Sequence, residues 1–115
     1  MSIFDLFRSK EKPDLDQSVL IRLQKSGSNV SKPHSIEFLL YFPTQSAAEK
    51  AEVSIRSSGF EVEVKKAAQG ESWLCFATKT MVPALPDLQK IRHDFMTIAA
   101  SMNGEYDGWG TQVVK

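Results

Sequence analysis

A chain of 115 residues bounds the molecule to one domain, with room for a small appendage. Its content of 42% hydrophobic and 24% charged residues is that of a globular protein able to bury a core without disulfides or metals. Lys+Arg and Asp+Glu number 14 each, which excludes broad, non-specific attraction to nucleic acid or anionic membrane and leaves open only a local patch.

Residues 1–13 read as an irregular arm: a small apolar cluster of Ile3, Phe4, Leu6 and Phe7, then the charged run RSKEK and Pro13. Such a terminus docks on the body or frays, with a partner-binding or membrane-surface peptide, too short to anchor firmly on its own, as the sharper alternative. The arm lacks the continuous apolar stretch of a signal peptide, and no run approaches the roughly 18 apolar residues of a membrane span, so a cytoplasmic protein is expected. Over residues 14–29, Leu15, Val19, Leu20 and Leu23 form one stripe at helical spacing, with Asp14 or Asp16 as N-cap and Gly27 as C-terminal stop.

SIEFLLYF, 35–42, follows as a strand. Ile36, Phe38, Leu40 and Phe42 share one face; Glu37, Leu39 and Tyr41 share the other. Apolar residues on both faces predict a central strand. PTQSAAEKAEVSIRSSG is a helix with Thr44 as N-cap, Ala48, Ala51 and Ile55 inward, and Gly59 as stop. FEVEVKK, 60–66, alternates strictly: Phe60, Val62 and Val64 in, Glu61, Glu63 and Lys65 out. AAQGE turns the chain into the partner strand, 71–80, whose setting WLCFA buries Cys75 as a small hydrophobe. The next helix, about 86–102, lays Leu85, Leu88, Ile91, Phe95, Ile98, Ala99 and Met102 on one stripe; Asn103-Gly104 ends it, and EYDGWGTQVV is the last strand.

After residue 33 the order is β-α-β-β-α-β, the split βαβ pattern of an α+β, ferredoxin-like sandwich with a four-stranded antiparallel sheet, preceded by an N-terminal helix. The division expected is an arm and helix over 1–33 and the ferredoxin-like domain over 34–115. Two helices cover one sheet face. Whether the first helix covers the other or extends the helical layer is undecided by pattern.

Catalytic signals are weak. His34 and His93 stand alone, without Cys or carboxylate at metal-ligand spacing, and read as surface histidines; no metal or cofactor is expected. Glu61 and Glu63 alternate with valines beside lysines, as on a solvated strand face. No phosphate-binding loop or nucleophile elbow is present. The open sheet face carries more information. Leu39 and Tyr41 lie there, joined either by Trp73, Cys75 and Ala77 or by Leu74 and Phe76. Exposed aromatics on such a sheet can stack RNA bases. The basic-glycine-aromatic RNA motif is missing, however, and Glu37, Glu61 and Glu63 repel phosphate, so a protein partner suits the face better.

EYDGWG, 105–110, is poor in strand formers. Gly108 and Gly110 point to a bulge or a close backbone approach, and Trp109 between them is aimed into the core or onto a neighbour, with Glu105 and Asp107 placing negative charge beside it. The segment LQKIRHDFMTIAASMNGEYDGWGTQ, 88–112, resembles the end of the regulator of ribonuclease E activity B (RraB) family, with YDGWGT as its specific part. IEFLLYFPTQSAAEKAEVSIRSSGFEVEV, 36–64, is similar to that family's opening strand, helix and second strand. The resemblance covers roughly 33–115. It implies a ferredoxin-like fold, no catalysis, binding to ribonuclease E and inhibition of RNA cleavage. Better-known members carry long acidic stretches near their termini. This chain is neutral overall, with Arg8, Lys10 and Lys12 in its arm, which weakens overall complementarity to a basic partner.

The residues expected to contact a partner are Glu37, Leu39, Tyr41, Glu61, Glu63, Glu105, Tyr106, Asp107 and Trp109. The alternative is a module that binds single-stranded RNA or pairs with a second copy through the open face.

Overall fold

The computed structural model describes residues 15–115. The expectations for the arm and for Asp14 as a cap lie outside the described residues. Seven elements follow one another: α1 (Leu15–Lys25), β1 (His34–Phe42), α2 (Gln45–Ser57), β2 (Glu61–Lys66), β3 (Trp73–Met81), α3 (Leu85–Ser101) and β4 (Glu105–Gly110). The strands form one sheet in the order β2-β3-β1-β4, every neighbour antiparallel. This is the α+β, ferredoxin-like arrangement, with β1 inside the sheet as its two apolar faces require.

The core lies between the sheet and α2 and α3. Ile36, Phe38, Leu40 and Phe42 of β1 are fully buried there. Each contributes about 1.5–3 kcal/mol by leaving water. Ala48, Ala51 and Ile55 bring α2 close to the strands, and Leu88, Phe95 and Ala99 do the same for α3. Phe95 packs edge-on against Phe38 at 5.6 Å and Tyr106 at 5.8 Å between ring centres, and against Phe60 at 5.0 Å. Thr44 caps α2 by accepting from the Ala47 N–H at 3.1 Å, and Glu52 pairs with Arg56 one turn on.

The first helix joins the helical layer. It packs on α3, and among the described residues no helix covers the other face of the sheet. The cause is Asp16. Asp16 lies inside α1 rather than flanking it, so it is not the cap. It is buried inside the first turn, accepting from Arg92 Nε of α3 at 3.0 Å and from the indole N–H of Trp109 at 3.1 Å.

Two expectations need correction. His34 is a core residue, not a surface one: it is 1% exposed. Its Nδ1 lies 2.8 Å from the Lys32 carbonyl oxygen and its Nε2 lies 2.7 Å from Ser28 Oγ, so both ring nitrogens are engaged. The same Ser28 hydroxyl accepts from the Val114 N–H at 2.9 Å, and the Asn29 N–H donates to the Val114 carbonyl. This explains the second correction. TQVV does not continue β4, which ends at Gly110; the tail leaves the sheet to bond the loop after α1.

Candidate functional site

The strand registers resolve which side chains share the open face. Three cross-strand rows run over it. The first is Glu61, Thr78, Glu37 and Gly110; the second is Glu63, Phe76, Leu39 and Gly108; the third is Lys65, Leu74, Tyr41 and Glu105. The open choice for β3 therefore falls to Leu74 and Phe76. Cys75 and Ala77 turn inward, opposite Leu40 and Phe38, and are fully buried.

The floor of the face is apolar: Leu39, Tyr41 and Phe76 half-buried, Leu74 buried. Its margin is acidic. Glu37, Glu61, Glu63 and Glu105 are exposed around it. Lys65 sits among them, with its ammonium 4.9 Å above the Phe76 ring and 3.8 Å from Glu63. Glu37, Glu61 and Glu105 have no ion-pair partner among the described residues.

The YDGWG segment divides its residues between the two faces. Its register shifts between Leu39 and Leu40, so Asp107 is the extra residue of a bulge, and Gly108 takes φ 110, which disfavours any side chain. Tyr106 opposite Leu40 and Trp109 opposite Phe38 both turn to the helical side. The glycines fall on the open face and leave its β4 margin bare. Tyr106 and Trp109, expected among the contact residues, thus stand behind the sheet rather than on the face: Trp109 is 9% exposed and bonded to Asp16. Asp107 lies near Glu105; partial burial first, and the Glu105 charge second, raise its carboxyl above the usual range.

At the end of the face, β1, β4 and the C-terminus of α3 meet around a cleft of about 400 Å³. It is lined by Tyr41, Phe42, Pro43, Ser72, Asn103, Gly104 and Glu105. Asn103 takes the left-handed conformation (φ 58), and the Gly104 N–H returns to the Ala99 carbonyl at 2.7 Å. A β-carbon on Gly104 would lie 2.5 Å from Phe42 Cδ1 and 2.6 Å from the Tyr41 carbonyl oxygen, so only glycine admits this approach.

The one cysteine is inert. Cys75 Sγ donates to the Ala48 carbonyl, and burial first, with the Glu52 charge second, pushes its thiol up to about 12. Among the described residues no group of three or more His, Cys, Asp or Glu could hold a metal ion, and no helix is long and apolar enough to cross a membrane.

A family described as RraB, regulator of ribonuclease activity B, matches residues 14–111. The chain belongs to the RraB family. It is 29% identical over 106 residues to a regulator of ribonuclease activity B from Pseudoalteromonas atlantica, covering 89% of this chain and 91% of that one. The RraB match begins at residue 14 and so takes in α1, the helix that Asp16 ties to Trp109.

Of the residues expected to make contact in this RraB chain, Glu37, Leu39, Tyr41, Glu61, Glu63 and Glu105 are brought together on or around one face. Leu74 and Phe76 were one of the two sets left open for β3; Ser72 and Asn103 were not expected there. The strand alternation in WLCFA already carried the first two, once Cys75 was assigned to the core. Nothing local marks Ser72 and Asn103, because the cleft joins a hairpin to a helix end.

Proposed function

We propose that this RraB-family protein is a non-catalytic, cytoplasmic regulator that binds ribonuclease E, or a related component of RNA decay, and inhibits RNA cleavage. The contact surface is the open sheet face with its margin at Glu105 and Asp107. The observation that carries this reading is the apolar floor of Leu39, Tyr41 and Phe76 inside an acidic rim. Apolar and aromatic side chains supply binding energy by desolvation, and rim charges select the partner. The bare glycine margin of β4 lets a partner backbone lie close to the sheet. Tyr106 and Trp109 act from behind, holding β4 in place. The acidic rim repels phosphate, which favours a protein over RNA on this face.

The test is binding of purified ribonuclease E to the full chain, with cleavage of a substrate RNA as second readout. Leu39→Ser combined with Tyr41→Ala is expected to weaken binding tenfold or more, about 1.4 kcal/mol or more, while the unfolding midpoint moves little. Failure of the wild-type protein to bind ribonuclease E at micromolar concentration removes the proposal. Retention of single-stranded RNA at low salt would put the stacking alternative in its place. A dimer in light scattering that dissociates in the double variant would assign the face to a second copy of the chain.

A further inference from the structure

Resting on that reading, we infer that the cleft between Tyr41 and Glu105 is a subsite for one arginine side chain of the bound protein. Four independent features converge on a planar cation. The Glu105 carboxylate has no cation partner among the described residues, and Asp107 adds a second carboxylate nearby. The C-terminal end of α3 reaches the cleft at Asn103, and no basic residue stands in the last turn of that helix, so no side-chain cation of its own meets the negative end of its dipole. Tyr41 is among the residues lining the cleft and is half-exposed, and its ring offers a surface on which a guanidinium can stack. Ser72 and Asn103 add polar side chains that accept hydrogen bonds.

An ammonium would meet the charge but not the plane. Arginine presents five donors in a flat fork, which can reach a carboxylate and a second acceptor while one face lies on the aromatic ring. The cleft, at about 400 Å³, has room for the whole side chain. The close approach at Gly104 sets its floor, because it brings the start of β4 against the end of β1.

The experiment is an NMR titration of the ¹⁵N-labelled full chain with the blocked tripeptide acetyl-Gly-Arg-Gly-amide, and in parallel with its lysine counterpart. Saturable shifts are expected at the amides of Ser72, Asn103, Gly104 and Glu105. Affinity should be roughly threefold lower or worse for lysine, and roughly tenfold lower for arginine in Glu105→Gln. Tyr41→Leu should bring the two peptides together, since it removes the stacking face. Shifts absent from these amides, equal for both peptides, or unchanged in Glu105→Gln overturn the subsite. So do shifts of equal size at Glu37 and Glu61, which report attraction to the acidic face in general.

Purified ribonuclease E separates the two levels. If it binds wild type and Glu105→Gln alike, the subsite falls and the regulatory function stands. If it binds neither while the tripeptide titrates as expected, the ribonuclease reading falls and the arginine subsite stands.

Discussion

The carboxylate of Asp16 and the indole of Trp109 are 93 residues apart in sequence and bonded at 3.1 Å in the fold. The other oxygen of the same carboxylate holds Arg92 at 3.0 Å, so one buried acid ties α1 to both α3 and β4. Removing it leaves the indole N–H without its acceptor and takes a buried carboxylate away from Arg92. Asp16→Ala is expected to cost about 3 kcal/mol. Asp16→Asn should cost less, because its amide oxygen still accepts from the indole. Urea unfolding followed by Trp109 fluorescence in a Trp73→Phe background checks both. A loss below about 1 kcal/mol for the alanine variant would show that the clasp is incidental.

Tyr106 makes the opposite case. Its hydroxyl is buried and has no hydrogen-bond partner among the described residues. Burial, and then the nearby Asp16 charge, hold its phenol well above the ordinary range. Tyr106→Phe removes an unsatisfied polar atom and keeps the ring against Phe95. Stability is expected to stay the same or rise by up to about 1 kcal/mol, with ribonuclease E binding unchanged. Trp109→Ala, by contrast, empties a core site and should cost about 3–5 kcal/mol in urea unfolding followed by far-UV circular dichroism.

Two glycines distinguish crowding from backbone strain. Gly104→Ala forces a methyl group into Phe42 and the Tyr41 carbonyl, and overpacking of this kind costs about 1–3 kcal/mol. Gly70→Ala meets open space and pays only for its φ of 78, about 1–2 kcal/mol. Thermal unfolding gives the ordering. Only Gly104→Ala should also perturb the amide resonances of Tyr41 and Phe42.

Stability at alkaline pH follows from Cys75. Its thiol titrates at about 12 in the fold against an ordinary 9.0, so between these values the unfolded chain has lost a proton that the folded chain keeps. The folded state is then disfavoured as pH rises: the contribution is intact below pH 9.0 and is lost progressively towards about 12. Tyr106 acts with the same sign at higher pH. Cys75→Ala should flatten the decline in urea midpoint above pH 9.0. A thiol reagent at pH 8 should react only as fast as the chain unfolds.

Local pattern alone determined most of the architecture. Period-two alternation in SIEFLLYF and FEVEVKK, helical spacing in the stripe from Leu85 to Met102, and the stops at Gly59 and Asn103-Gly104 each report a short-range constraint: which face is apolar, and where the backbone must turn. The same alternation set Glu37, Leu39 and Tyr41 on one face of β1 and Glu61 and Glu63 on one face of β2, because strand neighbours two apart share a face whatever the topology. Tertiary structure decided what depends on pairing distant segments. The inward turn of Tyr106 and Trp109 follows from the bulge at Asp107, which is defined only by the register against β1. The burial of Asp16 and His34 follows from partners 93 and 6 residues away, and in each case the polar side chain is admitted to the interior because its hydrogen-bonding atoms are met there. The cleft at Glu105 exists only because Gly104 lets a helix end, a hairpin and a central strand converge on one point.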